Sequence, residues 1–599
     1  MRMNNQELAK IFSAIATYLE MEEASFRSNA YERAALNLEA LDKEVGEVYE
    51  EKGIKGLTEI PGIGVNLARK IEEYLKTGKV GYYQDLKKKT PVDLEELIAV
   101  EGIGPKMVKD LWHHLRIRNL KDLEKAALAG KIRNLPHFGM KTEANILQGI
   151  QFLKKSKGRF LLGEILPEVQ EVVSKLKDLK EIERINLAGS LRRGKETIGD
   201  ADILAVSRNP RKAVDFFVHL PGVVRVWGQG STKASVRMKN GFDIDLRIVP
   251  NKSYGAALQY FTGSKEHNIV LRKIAIEKGL KLNEYGLFKG KRMIASAEEK
   301  DVYRALSLPF IEPELREGQG EIEAAQHGRL PKLIGYKEIL GDLHCHSSWD
   351  GGKNTILEMA KTAQEMGYQY IGIADHTKFL RLEHGLNEKQ LMAQRREIDI
   401  LNTKYPPSLK ATAGRQNTKF RILQGCEANI LNDGSIDIKD EVLEKLDFVI
   451  AGVHSSMKML KNQMTQRIVK AMRNPNVDII SHPTGRILKK RDEYQVDFPA
   501  LLKAAKETKT VLEINAFPSR LDLNDSKIRQ AKEAGVKMII NTDAHSREHL
   551  SLMGFGIGQA RRGWAGKEDV INCWPREKLF RNFKAEKLFY KTTSETAVL

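Results

Sequence analysis

Two groups of residues in this chain have the types and spacing of metal ligands. The first is Gly199-Asp-Ala-Asp202, where Asp200 and Asp202 flank one residue at the start of a strand-like run and so face the same side. Two carboxylates on one face repel unless cations neutralise them, and Mg²⁺ is the expected cation when phosphate oxygens complete its shell. A third carboxylate is needed beside the pair. Phe242-Asp-Ile-Asp-Leu offers Asp243 and Asp245, again on one strand face. Such a set suits two ions roughly 3.5–4 Å apart that activate an attacking hydroxyl and stabilise a leaving oxygen, with no protein nucleophile. Just upstream, Gly189-Ser190 with Arg192 and Arg193 suit a triphosphate, and the bland alternative for the whole segment is a solvated acidic pair near a turn.

The second group is richer in histidine. Asp342-Leu-His-Cys-His-Ser-Ser-Trp-Asp350 puts His344 and His346 on one strand face, with Asp350 in the following loop and Cys345 turned toward the core. His376, Glu427, His454, His482, Asp543 and His545 follow, nearly all at the end of an apolar strand. A lone histidine is usually a satisfied core or surface residue, but candidates recurring at strand ends are hard to attribute to chance. Imidazole with carboxylate suits Zn²⁺, Mn²⁺ or Fe²⁺ better than Mg²⁺.

The elements that must carry these residues differ along the chain. Residues 1–150 read as helices punctuated by the glycine turns Ile60-Pro-Gly-Ile-Gly64, Val100-Glu-Gly-Ile-Gly104 and a degraded Leu135-Pro-His-Phe-Gly139. In such a turn Gly62 and Gly64, or Gly102 and Gly104, let backbone approach a phosphate, and the helix N-terminus offers it free N–H groups. Residues 160–320 mix strands and helices. From Pro309 to Leu340 prolines and glycines predict a linker. From 340 to 580 short strands alternate with helices, which predicts βα units on a parallel sheet closed as a barrel. Residues 405–421 read as an inserted basic loop.

Composition narrows the classes. The 599 residues imply several domains, and 41% hydrophobic content is enough for real cores. Net charge is +19, with a pI near 9.4, which favours a polyanionic partner. Three cysteines, Cys345, Cys426 and Cys573, cannot make a disulfide framework and fit a reducing cytoplasm. The start MRMNNQELAK has no apolar core of a secretory signal, and no apolar run is long enough to span a membrane.

The first half resembles the family X DNA polymerases over about 310 residues, through Gly189-Ser190, Arg193, Gly199-Asp-Ala-Asp202, Ile244-Asp-Leu-Arg-Ile-Val-Pro250 and Tyr260-Phe-Thr-Gly-Ser264. Registered on Pro250, the third catalytic aspartate falls on Asp245 rather than Asp243. The resemblance implies that Asp200, Asp202 and Asp245 are catalytic and hold two Mg²⁺. It implies that Gly189, Ser190 and Arg193 bind the triphosphate, that Tyr260 and Phe261 press on the sugar, and that Gly263 is among the nucleotide-binding residues. Asn268 would meet the base edge and Arg272 the template. The glycine turns resemble helix-hairpin-helix motifs. Lys70 falls on a Schiff-base lyase lysine and Tyr31 on a pocket tyrosine, but two basic positions of that pocket fall on Asn66 and Tyr82, so a plain solvated Lys70 is an equal reading. Residues 340–580 resemble the PHP phosphoesterases. The implied ligand set is His344, His346, Asp350, His376, Glu427, His454, His482, Asp543 and His545, with Glu427 bridging and Mn²⁺ or Zn²⁺ in up to three places; Arg520 and Lys378 read either as charges that steady a phosphate or equally as surface charges.

The implied architecture is multidomain, α+β and α/β. It comprises helical helix-hairpin-helix domains at 1–90 and 91–160, a nucleotidyltransferase palm with a mixed sheet at 161–250 and a nucleotide-selecting thumb at 251–320. A linker at 321–340, a PHP (β/α)7-type barrel at 341–580 and a tail at 581–599 complete it. The implied function is gap-filling repair synthesis on gapped or primed DNA with dNTPs, by a cytoplasmic monomer. A 3′→5′ exonuclease accompanies it, with 3′-phosphatase or abasic-site endonuclease activity as extensions. The competing readings are a PHP phosphatase with a degenerate polymerase half and a non-catalytic DNA-end scaffold.

Overall fold

The computed structural model describes residues 5–22, 25–39, 41, 43–60, 62–98, 100, 103–136, 138–156, 159–404 and 420–584. Gly102, His137 and nearly all of the basic loop at 405–421 lie outside these. The chain divides into two compact units, Met1–Phe160 with Glu168–Ser190 and Ile198–Gly328, and Leu161–Pro167 with Leu191–Thr197 and Arg329–Leu599.

The first unit opens with helices whose apolar residues recur at helical spacing. Leu8, Phe12, Ile15 and Leu19 of Asn5–Met21 are buried, as are Leu67, Ala68, Ile71 and Tyr74 of Val65–Thr77. Leu111 and Trp112 of Pro105–Leu115 join the same core. The stretches read from sequence as two helical domains, 1–90 and 91–160, therefore share one hydrophobic core running from Leu8 to Ile150.

A five-stranded mixed sheet follows. Its spatial order is Ile182–Leu187, Asp200–Ser207, Asp243–Ile248, Lys233–Met238, Val223–Gln229. Only the pair Asp200–Ser207 and Asp243–Ile248 is parallel. Ile244, Leu246 and Ile248 are buried on one face, which leaves Asp243, Asp245 and Arg247 on the other. Two helices, Tyr254–Thr262 and Lys265–Glu277, and a small antiparallel sheet come next.

The expected linker is not one at its start. A helix spans Glu321–Gln326, and the segment up to Gly328 belongs to the first unit. Fully buried His267 donates from Nδ1 to Glu321 Oε1 at 2.6 Å, and buried Arg316 pairs with Glu299. Prolines and glycines do break regular structure here, but buried ion pairs tie the segment to its unit.

In the second unit, parallel strands Gly341–Cys345, Tyr370–Ile373 and Arg421–Gln424 form one sheet. Glu427–Asn429, Ile450–Gly452, Ile479–Ile480, Val511–Asn515 and Met538–Asn541 form another, also parallel. Arg421–Gln424 and Glu427–Asn429 are two halves of one run. Bridges His376 to Glu427 and Cys345 to Ala544 join the sheet edges, so seven strand positions close into a ring. Gly425 marks the break in that run, where a Cβ would lie 2.3 Å from the Phe448 ring. The strands are buried on both faces, as the near-continuous apolar runs require. Among the described residues no helix is long and apolar enough to cross a membrane.

Candidate functional sites

The parallel pairing in the mixed sheet sets Asp200 opposite Asp243 and Asp202 opposite Asp245. Four carboxylates thus stand on one face of two neighbouring strands. Asp202 lies against Gly189, whose φ is +60° and where a Cβ would come 2.3 Å from Asp202 Oδ2. The Ala188 N–H donates to Asp202 O at 2.8 Å and holds the two segments in register. Loss of water, then the charges of Asp200 and Asp245, push the Asp202 carboxyl up to about 7. Asp200, at the exposed strand end, is raised for the same reasons, with Asp245 and Asp243 as the neighbouring charges. Carboxylates forced toward protonation by burial and by one another are a site that fits divalent cations.

Asp243 and Asp245 are placed differently. Arg237 and Trp227 Nε1, the latter at 3.1 Å, all donate to Asp243, and Arg237 is buried. Asp245 accepts from Ser235 Oγ at 2.5 Å, with the half-exposed Lys233 ammonium 3.4 Å away. Neither Trp227 nor Arg237 is singled out by the sequence motifs.

Ser190 lies in the short helix Gly189–Arg192, and Arg193 follows it directly. Tyr260 and Phe261 meet edge to face at 5.2 Å, and the Arg247 guanidinium sits 4.5 Å over the Phe261 ring. Asn268 is buried. Its Nδ2 donates to Tyr260 O at 2.7 Å and Gly263 O at 3.2 Å, and Gln259 donates to its Oδ1 at 2.8 Å. In this structure the Asn268 amide therefore holds the turn that carries Tyr260 and Phe261, instead of facing outward to a base. Arg272 is half-buried on Lys265–Glu277.

In the helical region Lys70 Nζ lies 5.2 Å over the Tyr82 ring, which stacks on Tyr31 at 6.2 Å and accepts at its hydroxyl from Arg27 at 2.8 Å. Burial, then Tyr82, push the Tyr31 phenol up to about 12. Gly64 and Gly104 cap the helices Val65–Thr77 and Pro105–Leu115, with no side chain bonded to the first turn in either case. Gly62 is exposed in the turn before the first of these.

In the second unit Glu427 is the hub. Its Oε2 is 3.3 Å from His344 Nε2, 4.0 Å from His346 Nε2 and 2.9 Å from His376 Nδ1. Its Oε1 is 3.2 Å from His454 Nε2 and 2.9 Å from His482 Nε2. Asp543 Oδ1 lies 3.4 Å from His346 Nε2, and His545 stacks on His346 at 4.1 Å. The nitrogens His344 Nε2, His346 Nε2, His376 Nδ1 and His454 Nε2 are buried without a hydrogen-bond partner. Three of these rings give their other nitrogen to a fixed acceptor: His344 Nδ1 to Glu513 at 2.7 Å, His346 Nδ1 to Asp350 at 2.7 Å and His454 Nδ1 to Asn429 at 2.7 Å. That pattern sets the tautomers with Nε2 lone pairs turned inward, an arrangement that fits metal ions.

Asp350 differs from the rest of the expected ligand set. Its Oδ2 also accepts from the His376 N–H at 2.9 Å and its Oδ1 from Gly352 at 3.0 Å, and with His346 and Asp375 it forms a group whose ligand atoms are close enough to hold a metal ion. Glu513 and Asp375 are both fully buried and absent from the expected set. Glu513 also accepts from the His482 N–H at 2.8 Å and Asn541 Nδ2 at 3.0 Å, and Asp375 from the Ser347 hydroxyl at 2.6 Å. The available signal for Glu513 was an acid inside the apolar run Val511-Leu-Glu-Ile-Asn. His482 and Asp543 both hold left-handed backbone, with φ of 29° and 54°. Such residues cost of order 1–3 kcal/mol each and persist where the surroundings over-determine them.

Charge in this site is strongly coupled. Burial alone would raise Glu427 and Asp543, but the facing histidines hold both carboxyls well below their usual range. Burial alone would lower His344 and His346. Glu513, Glu427 and Asp543 hold the first well above its ordinary value, and Asp350 and Asp543 bring the second to about 10. His454 and His545, with burial dominant, are pushed down to about 4. Of the two side chains expected to steady a phosphate, Arg520 Nε lies 3.5 Å from Asp543 Oδ2, whereas Lys378 donates to Glu388 at 2.5 Å.

Comparison with known proteins matches four stretches of the chain. Residues 3–80 match the helix-hairpin-helix domain family and 94–151 the SAM-like helix-hairpin-helix tandem. Residues 257–317 match the DNA polymerase beta thumb and 342–516 the PHP domain. The DNA polymerase/3′-5′ exonuclease PolX of Bacillus subtilis is 35% identical over 95% of this chain and 98% of its own length. DNA polymerase lambda of Rattus norvegicus is 25% identical over 52% of this chain and 56% of its own. A probable phosphatase of Clostridium acetobutylicum is 32% identical over 35% of this chain and 80% of its own. The polymerase and PHP matches imply use of divalent metal ions and a DNA substrate. The chain belongs to the family X DNA polymerases, in the form that carries a C-terminal PHP domain.

Proposed function

We propose that the chain fills short gaps in DNA during repair, adding dNTPs at Asp200, Asp202 and Asp245 with two Mg²⁺, and trims 3′ ends at the Glu427 centre with Mn²⁺ or Zn²⁺ in up to three places. The observation that carries the first half is the register of Asp202 against Asp245, with Asp243 already committed to Arg237. For the second half it is the gathering of five imidazoles on one carboxylate, Glu427.

Divalent ions, when bound, would polarise the attacked phosphate and activate the attacking oxygen. Gly189 leaves room for Asp202, and Ser190 and Arg193 would hold the triphosphate. Tyr260 and Phe261, kept in place by Asn268, would press on the sugar. Arg272 would lie along the template. In the second unit Glu513, Asp350 and Asn429 orient His344, His346 and His454, so that their lone pairs meet one centre. The helix starts at Gly64 and Gly104, with no side chain bonded to their first turns, are suited to DNA phosphates, and Gly62 and Gly102 remain the sequence candidates beside them. Lys70 beside Tyr82 and Tyr31 is the candidate lyase nucleophile. We place the protein in the cytoplasm as a monomer.

A gapped duplex labelled at the 3′ end, incubated with Mg²⁺ or Mn²⁺ and with or without dNTPs, tests both halves. Extension requires Asp245, and shortening requires Glu427. Joint loss of both activities in either folded variant would refute two separate sites. The likeness to a probable phosphatase favours a second reading of the PHP half, removal of a 3′-phosphate, which a 3′-phosphorylated primer distinguishes.

A further inference from the structure

The cavity over the Glu427 centre, about 440 Å³, is lined by His376, His454, His482 and Asp543, and also by two arginines, Arg491 and Arg520. Arg520 approaches Asp543 with Nε at 3.5 Å. Arg491 comes from the segment after His482, where its part-buried Nε and Nη2 donate to Gly485 O at 2.9 and 2.7 Å. A guanidinium has five N–H donors, so this carbonyl uses two of Arg491's and leaves the rest for another acceptor. Burial, and then the neighbouring Arg520 charge, both disfavour the positive charge on Arg491. Two like charges held at one cavity call for an anion between them, and a planar guanidinium fits two oxygens of one phosphate.

We infer that Arg491 and Arg520 form a two-guanidinium clamp on the non-bridging oxygens of the phosphate at the Glu427 centre; this rests on the phosphoesterase reading above. Arg491 takes the part that Lys378 was expected to play, because Arg491 lines the cavity and Lys378 is not among its lining residues. The sequence does not mark it, since Arg491 lies in the basic run Lys489-Lys-Arg491 and looks like a solvated charge.

The alternative role for Arg491 is structural, through Gly485, whose N–H donates to His482 O at 2.9 Å. The test uses full-length protein loaded with Mn²⁺, and compares wild type, Arg491→Ala, Arg491→Lys and Arg520→Ala. Metal content is measured by elemental analysis and affinity for inorganic phosphate by calorimetry. The clamp predicts unchanged metal content in Arg491→Ala with phosphate affinity down at least about tenfold, as loss of a charge-assisted bidentate contact implies. Arg491→Lys should recover only part of that affinity. Phosphate affinity within twofold of wild type in Arg491→Ala overturns the clamp, and so does loss of metal from that variant. A wild type that loads Mn²⁺ and binds phosphate but cleaves no labelled 3′ end refutes the exonuclease reading and leaves the clamp supported; a wild type that binds neither refutes both.

Discussion

Arg237 grips Asp243 through two N–H···O bonds, Nε to Oδ1 at 2.8 Å and Nη2 to Oδ2 at 2.9 Å. The pair stands on adjacent antiparallel strands, two positions along from the alignment of Asp202 with Asp245. Asp243 is thereby neutralised inside the protein. Asp245, two residues on and on the same face, instead meets the Ser235 hydroxyl and, at 3.4 Å, the Lys233 ammonium.

Asp245→Ala is therefore expected to abolish primer extension. A metal ion contributes several kcal/mol to the transition state, so the loss should be about 10³-fold or more in kcat. Asp243→Ala should leave measurable extension. Arg237→Ala leaves a part-buried carboxylate with the Trp227 N–H but without its guanidinium and should cost about 1–3 kcal/mol of stability by denaturant unfolding. Equal loss of extension in both aspartate variants would remove the distinction.

The Asp202 carboxyl, raised to about 7 in the folded chain, makes stability depend on pH without divalent ions. A folded-state pKa above the unfolded one, about 3.9 for Asp, means that the folded chain binds the proton more tightly. Its contribution is fully present below about pH 4 and is lost as pH rises toward 7. The difference in Tm between wild type and Asp202→Asn, measured without metal, should grow in favour of the variant from pH 5 to pH 8, and Mg²⁺ should shrink it at pH 8. A difference independent of pH would contradict the raised pKa.

Glu427→Ala removes the one carboxylate that faces five imidazoles. We expect it to lose metal on elemental analysis and to stop shortening a labelled 3′ strand, while extension of a gapped duplex in Mg²⁺ continues. Chelation followed by Mn²⁺ should restore shortening in wild type only.

Glu513 acts through His344 rather than on substrate. Glu513→Gln weakens the acceptor for His344 Nδ1 and for the His482 N–H. Outer carboxylates of this kind are worth about 10–100-fold in metal affinity. Competition with a coloured chelator should show that loss for Mn²⁺ with the fold retained by circular dichroism. An unchanged affinity would make Glu513 a packing residue.

Much of this protein is readable from local spacing. Asp200 and Asp202 lie on one strand face because side chains alternate, and His344 and His346 do so for the same reason. The glycine turns announce helix starts, and alternating apolar strands announce the closed parallel sheet. These features depend only on residues a few positions apart, where backbone geometry leaves little choice.

What sequence spacing could not decide is which distant residues meet. Glu513 reaches His344 across 169 positions, and Asp350 turns behind His346 instead of joining the Glu427 hub. Residues 309–328 look like a linker until His267 and Glu321 are found buried together. Arg491 looks like one lysine-rich loop residue among several until it lines a cavity with Arg520. The chain alone determined the kinds of ligand and the strand faces that bear them. Strand register and packing decided which carboxylates stay free and which are tied, because a buried charge takes its partner from whatever the fold brings near it, not from its neighbours in the chain.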